Sequence, residues 1–260
     1  MDDSSGPAPH VLENRRRWDE DAHNWVSAGE RSWAALEPTW GVWAVPESEL
    51  RLLPADMAGL KAVELGCGTG YVSAWMARRG AEVTGLDNSE NQLNTARRLA
   101  AEHGVKLHLI HGNAESTPFE DGSFDFAISE YGAAIWCDPY VWLPEAHRIL
   151  KPGGRLVFLG NHPLVYVCSP LDGSKVGERL TRPYFGARRF DWTTVEVDPG
   201  GIEFNLPISD WFELFENVGF AVEGYAEPRP KTGGAEPRFS VAPDWALIYP
   251  SEQVWKLRRR

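Results

Sequence analysis

Three glycines at alternate positions, Gly66, Gly68 and Gly70, follow a short apolar run. Glycine tolerates backbone angles and close ligand approach that a side chain would forbid, so such a loop can wrap closely around a ligand at the end of a strand. Asp87 closes the next apolar run, where a carboxylate can accept hydrogen bonds from both hydroxyls of a ribose. These residue types in this order predict a nucleoside-cofactor site.

The spacing of the glycines indicates which nucleoside. Dinucleotide enzymes typically carry G-x-G-x-x-G, in which the extra residue helps to aim a helix N-terminus at a pyrophosphate. Here the third glycine comes one residue early, Glu64 precedes the first, and no basic residue lies between Glu64 and Arg78. An acidic loop without phosphate-binding cations suits a ligand with a cationic amino-acid end, and S-adenosylmethionine is such a ligand.

Four sequence blocks between residues 60 and 160 carry a resemblance to a known family. They are 63–70 (VELGCGTG), 83–93 (VTGLDNSENQL), 112–129 (GNAESTPFEDGSFDFAIS) and 147–158 (HRILKPGGRLVF). In this order the blocks are specific, although a lone glycine loop is not. The chain resembles the class I S-adenosylmethionine-dependent methyltransferases, in the branch of the ubiquinone and menaquinone biosynthesis methyltransferases. The resemblance implies S-adenosylmethionine as methyl donor and S-adenosylhomocysteine as product.

The resemblance also implies which residues hold the donor. The glycine loop would hold the methionyl end and Asp87 the ribose, while Asn88 and Gln92 would flank the adenosine. Asn113 stands where many relatives have an acidic residue that binds the adenine amine, and its amide carbonyl can still accept that bond. The predicted donor-binding set, to which Ser129 is added from its place at a strand end, is Glu64, Gly66, Cys67, Gly68, Asp87, Asn88, Gln92, Asn113, Ala114 and Ser129.

Strand and helix signals alternate from residue 60 onward, which predicts parallel strands joined by crossover helices. The fold class is therefore α/β, with a doubly wound, Rossmann-like, mostly parallel sheet of the class I methyltransferase type. Its ligand is expected beyond the carboxyl ends of the strands. The predicted strands are 62–65, 82–86, 106–110, 124–129 and 155–159, and the predicted helices are 71–79, 90–103 and 139–150.

Two segments are predicted to cover this domain, which spans residues 60–260. Residues 1–59 are expected to form a helical, tryptophan-rich lid. Residues 161–205 contain irregularly spaced prolines and glycines, which predicts an inserted cap after the fifth strand. Within the cap, a hairpin is expected around 198–201, flanked by strands at 193–197 and 202–206.

The C-terminal part returns to the alternating pattern. A helix is predicted at 209–218 and a strand at 221–225, followed by a loop from residue 227 to 243. The sequence does not identify the last strand of the sheet, for which residues 245–249 are a candidate. The closing basic run, Lys256 and Arg258 to Arg260, is expected to be a solvated tail.

Trp18, Trp25, Trp33 and Trp40 recur every seven or eight residues. On a regular helix this spacing places the four indoles within an arc of about 80°. Such a face most often packs a helix onto its domain. In the alternative interpretation, Trp40 or Trp43 supplies an aromatic wall over the donor and contributes to the acceptor site.

Methyl transfer is an in-line displacement at carbon, so the enzyme must align acceptor, methyl group and sulfur. Glu130 after the fourth strand and His162 after the fifth are the candidate general bases; a purely structural role is the alternative for each. Tyr131 and Trp136, together with Trp40, are expected to line the acceptor pocket. No metal is expected, since no cluster of carboxylates or cysteines has ligand spacing.

Charge and cysteine content restrict the class of substrate and compartment. The 260 residues carry a net charge of −11 and three scattered cysteines, which disfavours nucleic acid and predicts a reducing, cytoplasmic environment. No stretch reaches the ~20 apolar residues of a membrane span. The leading hypothesis is methylation of an oxygen, nitrogen or carbon atom of a small aromatic or apolar molecule. Alternatives are an RNA or protein methyltransferase, an NAD-binding oxidoreductase, and a degenerate methyltransferase fold that serves as a binding protein.

Overall fold

In the computed structural model, which describes residues 6–260, the N-terminal part is one long helix followed by a short strap. Helix α1 (Pro9–Ala34) starts at a proline, which the first helical position favours because its missing N–H would be unpaired there anyway. A two-stranded antiparallel ladder and one helical turn follow: β1 (Thr39–Trp40), β2 (Val45–Pro46) and α2 (Glu47–Leu50). Residues 39–46 are called the strap below.

The alternation predicted from residue 60 onward is confirmed. β7 begins five residues before its expected start, because Leu150 already pairs with Phe124. The elements are β3 (Lys61–Leu65), α3 (Tyr71–Arg78), β4 (Glu82–Asp87), α4 (Glu90–Glu102), β5 (His108–His111), β6 (Phe124–Glu130), α5 (Ala133–Trp136), α6 (Pro139–Ile149) and β7 (Leu150–Asn161).

The remaining elements form the cap and the far edge of the sheet. In the cap, β8 and β9 pair antiparallel on either side of the predicted turn, but β8 ends before residue 193, where the first hairpin strand was expected. The elements are α7 (Pro163–Cys168), β8 (Arg189–Asp191), β9 (Ile202–Phe204), α8 (Ile208–Val218), β10 (Phe220–Ala226), α9 (Pro243–Ile248) and β11 (Glu252–Arg259).

Seven strands form the main sheet in the order β10-β11-β7-β6-β3-β4-β5. β11 runs antiparallel to both of its neighbours, and the pairs between β5 and β7 are all parallel. The chain moves from β3 outward through β4 to β5 and then returns to place β6 on the other side of β3. This change of direction opens a crevice at the carboxyl ends of β3, β4 and β6, where doubly wound sheets bind their ligands.

The candidate position for the last strand is wrong. Residues 245–249 belong mostly to α9, which begins at Pro243, and the strand is β11, seven residues further along the chain. The basic run is accordingly no solvated tail. Lys256 lies within β11, and its ammonium donates to the carbonyls of Leu50 and Arg51. The charged side chains of β11 had masked the strand pattern, because their ends reach outward from an inner strand of the sheet.

Apolar side chains pack on both faces of the sheet. In β3, Val63 and Leu65 join one core cluster, while Ala62 joins another together with Phe126 of β6. Alternate residues of a strand point to opposite faces, so two layers of helices cover the sheet and leave its carboxyl edge for the ligand. None of the helices described by the structure is long and apolar enough to cross a bilayer.

Candidate active site

The glycine loop forms a tight turn between β3 and α3. The N–H groups of Gly66 and Cys67 both donate to the carbonyl of Leu86, at 2.8 and 3.0 Å. Gly66 has a φ of +81°, and a Cβ atom there would lie 2.5 Å from the Cα atom of Gly132. Gly68, with a φ of +51°, has open space where its Cβ would be. Gly66 therefore permits close backbone packing, whereas Gly68 leaves room for a ligand.

Asp87 ties the glycine loop to the turn after β4. Its Oδ2 atom accepts from the N–H of Gly68 at 2.7 Å, and its Oδ1 atom accepts from the N–H of Ser89 at 2.8 Å. Burial raises the pKa of Asp87, and these two backbone hydrogen bonds oppose that rise. Each carboxylate oxygen can accept a second hydrogen bond, so the group is positioned to hold a diol.

Glu64 lies beneath the loop and is 2% exposed. Its Oε2 atom accepts from the N–H and the hydroxyl of Ser73, in the first turn of α3. Burial raises the pKa of Glu64 well above its usual range. A cation arriving in the neighbouring cavity would therefore stabilise the ionised form of this carboxylate.

One cavity of about 160 Å³ lies over the carboxyl ends of β3, β4 and β6. It collects most of the residues predicted for the site, although the donor-binding and acceptor-binding predictions came from different parts of the chain. Predicted residues that line it are Glu64, Gly66, Cys67, Gly68, Asp87, Asn88, Gln92, Asn113, Ala114, Glu130, Tyr131 and Trp136.

Three predicted site residues do not line this cavity. Ser129 is fully buried, and its hydroxyl donates to the carbonyl of Leu65 and accepts from the N–H of Ala134. Trp40 is also fully buried, and its indole N–H donates to Glu47. These contacts favour the structural interpretation of both residues.

His162, the third of these residues, caps helix α7. Its Nδ1 atom accepts from the N–H of Leu164 at 3.1 Å, and the residue is 8% exposed. Burial lowers the pKa of His162 to about 4. The imidazole is therefore neutral near pH 7, and its placement favours the structural alternative over a general base.

The protonation of His162 predicts an acid sensitivity of the fold. Because its pKa of about 4 lies below the usual 6.5, the unfolded chain takes up a proton first as the pH falls. This residue should thereby lower the free energy of unfolding by about 2 kcal/mol between pH 7 and pH 5. Urea denaturation at pH 7 and at pH 5 measures this loss in the free energy of unfolding. His162→Asn keeps a helix-capping side chain and should remove that part of the loss; an equal loss in the variant would contradict the assignment.

Glu130 is the last residue of β6 and Tyr131 follows it, and their side chains make separate polar contacts. Glu130 accepts from the N–H of Gly41 at 3.0 Å through Oε1, and from the hydroxyl of Tyr71 through Oε2. The Tyr131 hydroxyl donates to Glu252 at 2.7 Å. The strap therefore rests on Glu130 at the edge of the cavity and, through the N–H of Val42, on Glu252 behind it.

Helix α1 supplies an aromatic wall that the sequence had assigned to other tryptophans. Trp18 and Trp25 line the cavity together with Trp136, and the Trp18 ring lies 5.4 Å from that of Trp25 and 5.2 Å from that of Trp136. Phe239 stacks on Trp25 at 5.7 Å. The spacing of seven or eight residues did indicate tryptophans on one face of a helix. However, α1 ends at Ala34, before Trp40, so no single regular helix carries all four tryptophans. Trp18, Trp25 and Trp136, which line the cavity, are called the indole wall below.

Contacts from α1 fix the indole wall over the glycine loop and the turn after β4. Arg15 donates to the amide oxygen of Asn88 at 3.0 Å, and Asp19 accepts from the hydroxyl of Ser89 at 2.7 Å. Further along, the Trp33 indole donates to the carbonyl of Thr69 at 2.8 Å. The helix is thereby held along the length of the cavity.

Polar groups on the side of the cavity predicted to hold adenosine remain available to a ligand. Gln92 is 3% exposed, and its Oε1 atom has no hydrogen-bond partner among the described residues. Asn113 accepts from the N–H of Glu115 through Oδ1. An unpaired buried acceptor is costly, so a ligand N–H or O–H that reached the Gln92 oxygen would remove that cost.

A second concavity, of about 380 Å³, lies on the cap. It is lined by residues 182–183 and 185–192, and it contains none of the residues predicted for the site. Its cations are largely paired: Arg188 contacts Asp138 and Arg189 contacts Asp191. This second concavity is therefore not part of the predicted site, which lies at the sheet edge.

Comparisons with known proteins agree with this geometry. Residues 63–158 match the model of a family described as a methyltransferase domain. A demethylmenaquinone methyltransferase of Staphylococcus haemolyticus is 35% identical over 173 residues, which cover 62% of this chain and 69% of the relative. One from Staphylococcus aureus strain JH9 is 41% identical over 174 residues, covering 62% of this chain and 68% of the relative.

Solved structures extend the likeness to more of the chain. An S-adenosylmethionine-dependent methyltransferase from Mesorhizobium loti is 26% identical with a TM-score of 0.63, over 81% of this chain and 95% of that one. The [4+2]-cyclase SpnF has the same TM-score over 97% of this chain and 98% of its own, but at 21% identity it shows the fold alone.

A doubly wound sheet with a glycine loop after one strand and a carboxylate at the end of the next is typical of nucleoside-cofactor enzymes. The matches specify it further: the chain belongs to the class I S-adenosylmethionine-dependent methyltransferases. The resemblance drawn from the four sequence blocks, the fold class and S-adenosylmethionine as the methyl donor are thereby confirmed.

Proposed function

We propose that this methyltransferase acts on an oxygen, nitrogen or carbon atom of a small, neutral, aromatic or apolar acceptor. The observation that carries the proposal is that the donor-binding loops and the indole wall share one cavity. No Lys, Arg or His occurs among the described residues that line it. An acceptor with a carboxylate or phosphate would enter without a countercharge, which is costly in a dry site.

The chain's own residues fit S-adenosylmethionine, which supplies an electrophilic methyl group on a sulfonium when bound. Asp87 would hold the ribose hydroxyls, and the space beside Gly68 would admit the methionyl end. Glu64 offers negative charge near the donor's ammonium. Gln92 would pair its free oxygen with the adenosine, beside Asn88 and Asn113.

The indole wall suits a planar acceptor. Three indole rings present flat apolar faces, and aromatic pairs contribute about 0.5–1.5 kcal/mol beyond the area they bury. An indole face also attracts a sulfonium, by about 0.5–2 kcal/mol. The wall is joined to the cap, because Asn14 donates to the carbonyls of Trp136 and Ile202. We therefore propose that residues 6–59 act as a lid and that residues 161–205 act as a cap around the acceptor.

The relatives suggest a class of ring. Their printed name, demethylmenaquinone methyltransferase, refers to a naphthoquinone that lacks a methyl group. A reduced naphthoquinone is planar and neutral, and it offers both a phenolic oxygen and an electron-rich ring carbon. Such a bicyclic ring matches the apolar wall and the absence of cations in the lining.

Methyl transfer to a matched pair of acceptors tests the proposal. Binding of S-adenosylmethionine and S-adenosylhomocysteine is first measured by calorimetry, with NAD as the control. Tritiated methyl transfer is then followed with 1,4-naphthalenediol and with 1,4-dihydroxy-2-naphthoate, which adds a carboxylate to the same ring. We expect kcat/KM for the neutral ring to exceed that for the carboxylated ring at least tenfold.

Two results would contradict this function. A preference for the carboxylated ring would show that the cavity accepts an anion after all. Donor binding without transfer to either ring, or to a panel of simple phenols, hydroquinones and aromatic amines, would show that the acceptor belongs to another chemical class.

A further inference from the structure

Tyr131 has an unusual backbone conformation at the edge of the cavity. Its φ is +51°, a left-handed value that costs a non-glycine residue about 1–3 kcal/mol and often marks functional sites. The residue lines the cavity, and its N–H donates to the carbonyl of Leu159. The neighbouring strand thus holds the backbone of Tyr131 in place beside the residues predicted to bind the donor.

The hydroxyl of Tyr131 is held by a buried carboxylate from the other end of the chain. Glu252, the first residue of β11, is 1% exposed. Its Oε1 atom accepts from the Tyr131 hydroxyl at 2.7 Å and from the N–H of Val42 at 2.8 Å. Its Oε2 atom is buried and has no hydrogen-bond partner among the described residues. This carboxylate can therefore take up a proton without losing an existing contact.

Glu130, the base predicted from sequence, differs in this respect. Both of its oxygens already have partners, the N–H of Gly41 and the hydroxyl of Tyr71. Protonation of either oxygen would weaken the hydrogen bond that this oxygen accepts, whereas Oε2 of Glu252 accepts none among the described residues. Glu130 is therefore better suited to holding the strap and Tyr71 than to accepting a proton from the acceptor.

We propose that Tyr131 and Glu252 form a proton relay that serves as the general base. The proposal rests on the proposed methylation of a hydroxylated aromatic ring. As the acceptor oxygen bonds to the methyl carbon, the carbon–sulfur bond breaks and its electron pair stays on sulfur. The acceptor proton passes to the phenolic oxygen of Tyr131, whose own proton passes to Glu252. Tyr131 is the catalytic residue, and Glu252 acts through it.

The electrostatics of the pair support this assignment. Burial raises the pKa of Glu252 to about 7, the charge of Glu130 adds to the rise, and the hydrogen bonds from Tyr131 and Val42 oppose it. A carboxylate must be ionised to receive a proton, so kcat should rise with pH through about 7. The titratable and charged groups that face or adjoin the pair are Tyr71, Glu130, His162, Tyr166 and Arg238.

Two variants test the relay by kinetics. Tyr131→Phe removes the hydroxyl, and Glu252→Gln keeps an oxygen for Tyr131 and Val42 but cannot take the proton. With 1,4-naphthalenediol at pH 8 we expect each variant to lower kcat about 30- to 100-fold, while the Kd for S-adenosylmethionine changes less than threefold. The rise of kcat near pH 7 should disappear in Glu252→Gln.

A matched control comes from another tyrosine. Tyr225 donates to Glu227 at 3.1 Å on the surface of β10, and Tyr225→Phe should leave kcat and its pH profile unchanged. If Glu252→Gln retains both kcat and the rise near pH 7, the relay is wrong. If it weakens donor binding in parallel with kcat, Glu252 only supports the cavity.

A measurement without any acceptor separates this proposal from the proposed function. Protein labelled with carbon-13 at the glutamate carboxyl is titrated by NMR, and the Glu252 signal is identified by its loss in Glu252→Gln. We expect a midpoint near pH 7 that rises in Tyr131→Phe, because a hydrogen bond to the ionised form is lost. A signal that does not titrate between pH 5 and pH 9 would overturn the relay, even if methyl transfer itself is observed.

Discussion

Replacing Asp87 by alanine is expected to raise the Kd for S-adenosylmethionine by about 10² to 10⁴. The carboxylate would accept hydrogen bonds from two ribose hydroxyls, and each bond to a charged group contributes about 1.5–3 kcal/mol. The change also frees the N–H groups of Gly68 and Ser89, which Asp87 holds at 2.7 and 2.8 Å. Ligand contact and loop order are therefore lost together. Calorimetric titration with S-adenosylmethionine and S-adenosylhomocysteine measures the effect.

A second carboxylate in the sheet separates binding from general destabilisation. Asp125 accepts from the N–H of Lys61 at 2.9 Å and from the Lys151 ammonium at 2.7 Å, at the end of β6 opposite the cavity. Asp125→Ala should lower stability without changing donor affinity. Unchanged affinity in Asp87→Ala would show that another group binds the ribose. Asp87→Asn should fall between wild type and Asp87→Ala, because an amide oxygen accepts without charge.

The sheet and the donor half of the site were accessible from sequence because their signals are local. Gly66 and Asp87 each directly follow an apolar residue that ends a predicted strand, and Gly68 lies two residues further on. A switch in winding direction brings the ends of the parallel strands together. Knowing the strands was therefore enough to place these residues at one edge. The structure collects them in one cavity, although their contacts with the donor stay predictions.

The proposed acceptor half was less accessible from sequence because its residues meet through long-range contacts. Trp18 and Trp25 reach the cavity only because α1 lies across the turn after β4, and no local pattern reveals that docking. Glu252 lies in β11, whose charged residues obscured the strand, and it approaches Tyr131 from 121 positions away. The sequence predicted that tryptophans line the cavity, but it could not show which of them helix α1 would place there.

The largest combined effect on stability and binding is expected from Gly66→Ala. The new Cβ atom would lie 2.5 Å from the Cα atom of Gly132 and 2.8 Å from the amide nitrogen of Ala133. Both contacts are with backbone, which cannot rotate away, so α5 must move. The alanine would also have to adopt a φ of +81°. We expect the free energy of unfolding to fall by about 3 kcal/mol or more and calorimetric binding of S-adenosylmethionine to be lost.

Gly153→Ala isolates the backbone strain from the steric clash. Gly153 has a φ of +77°, close to that of Gly66, but nothing lies within 4 Å of its Cβ position. The Gly153→Ala variant should therefore lose only the part of the unfolding free energy that comes from backbone strain, about 1–3 kcal/mol. It should bind the donor normally. Urea denaturation of both variants gives the difference. Because α5 ends at Trp136 in the indole wall, displacement of α5 should disturb both the donor side and the acceptor side of the cavity. Equal stability of Gly66→Ala and Gly153→Ala, with normal donor binding in both, would show that this close packing is not required.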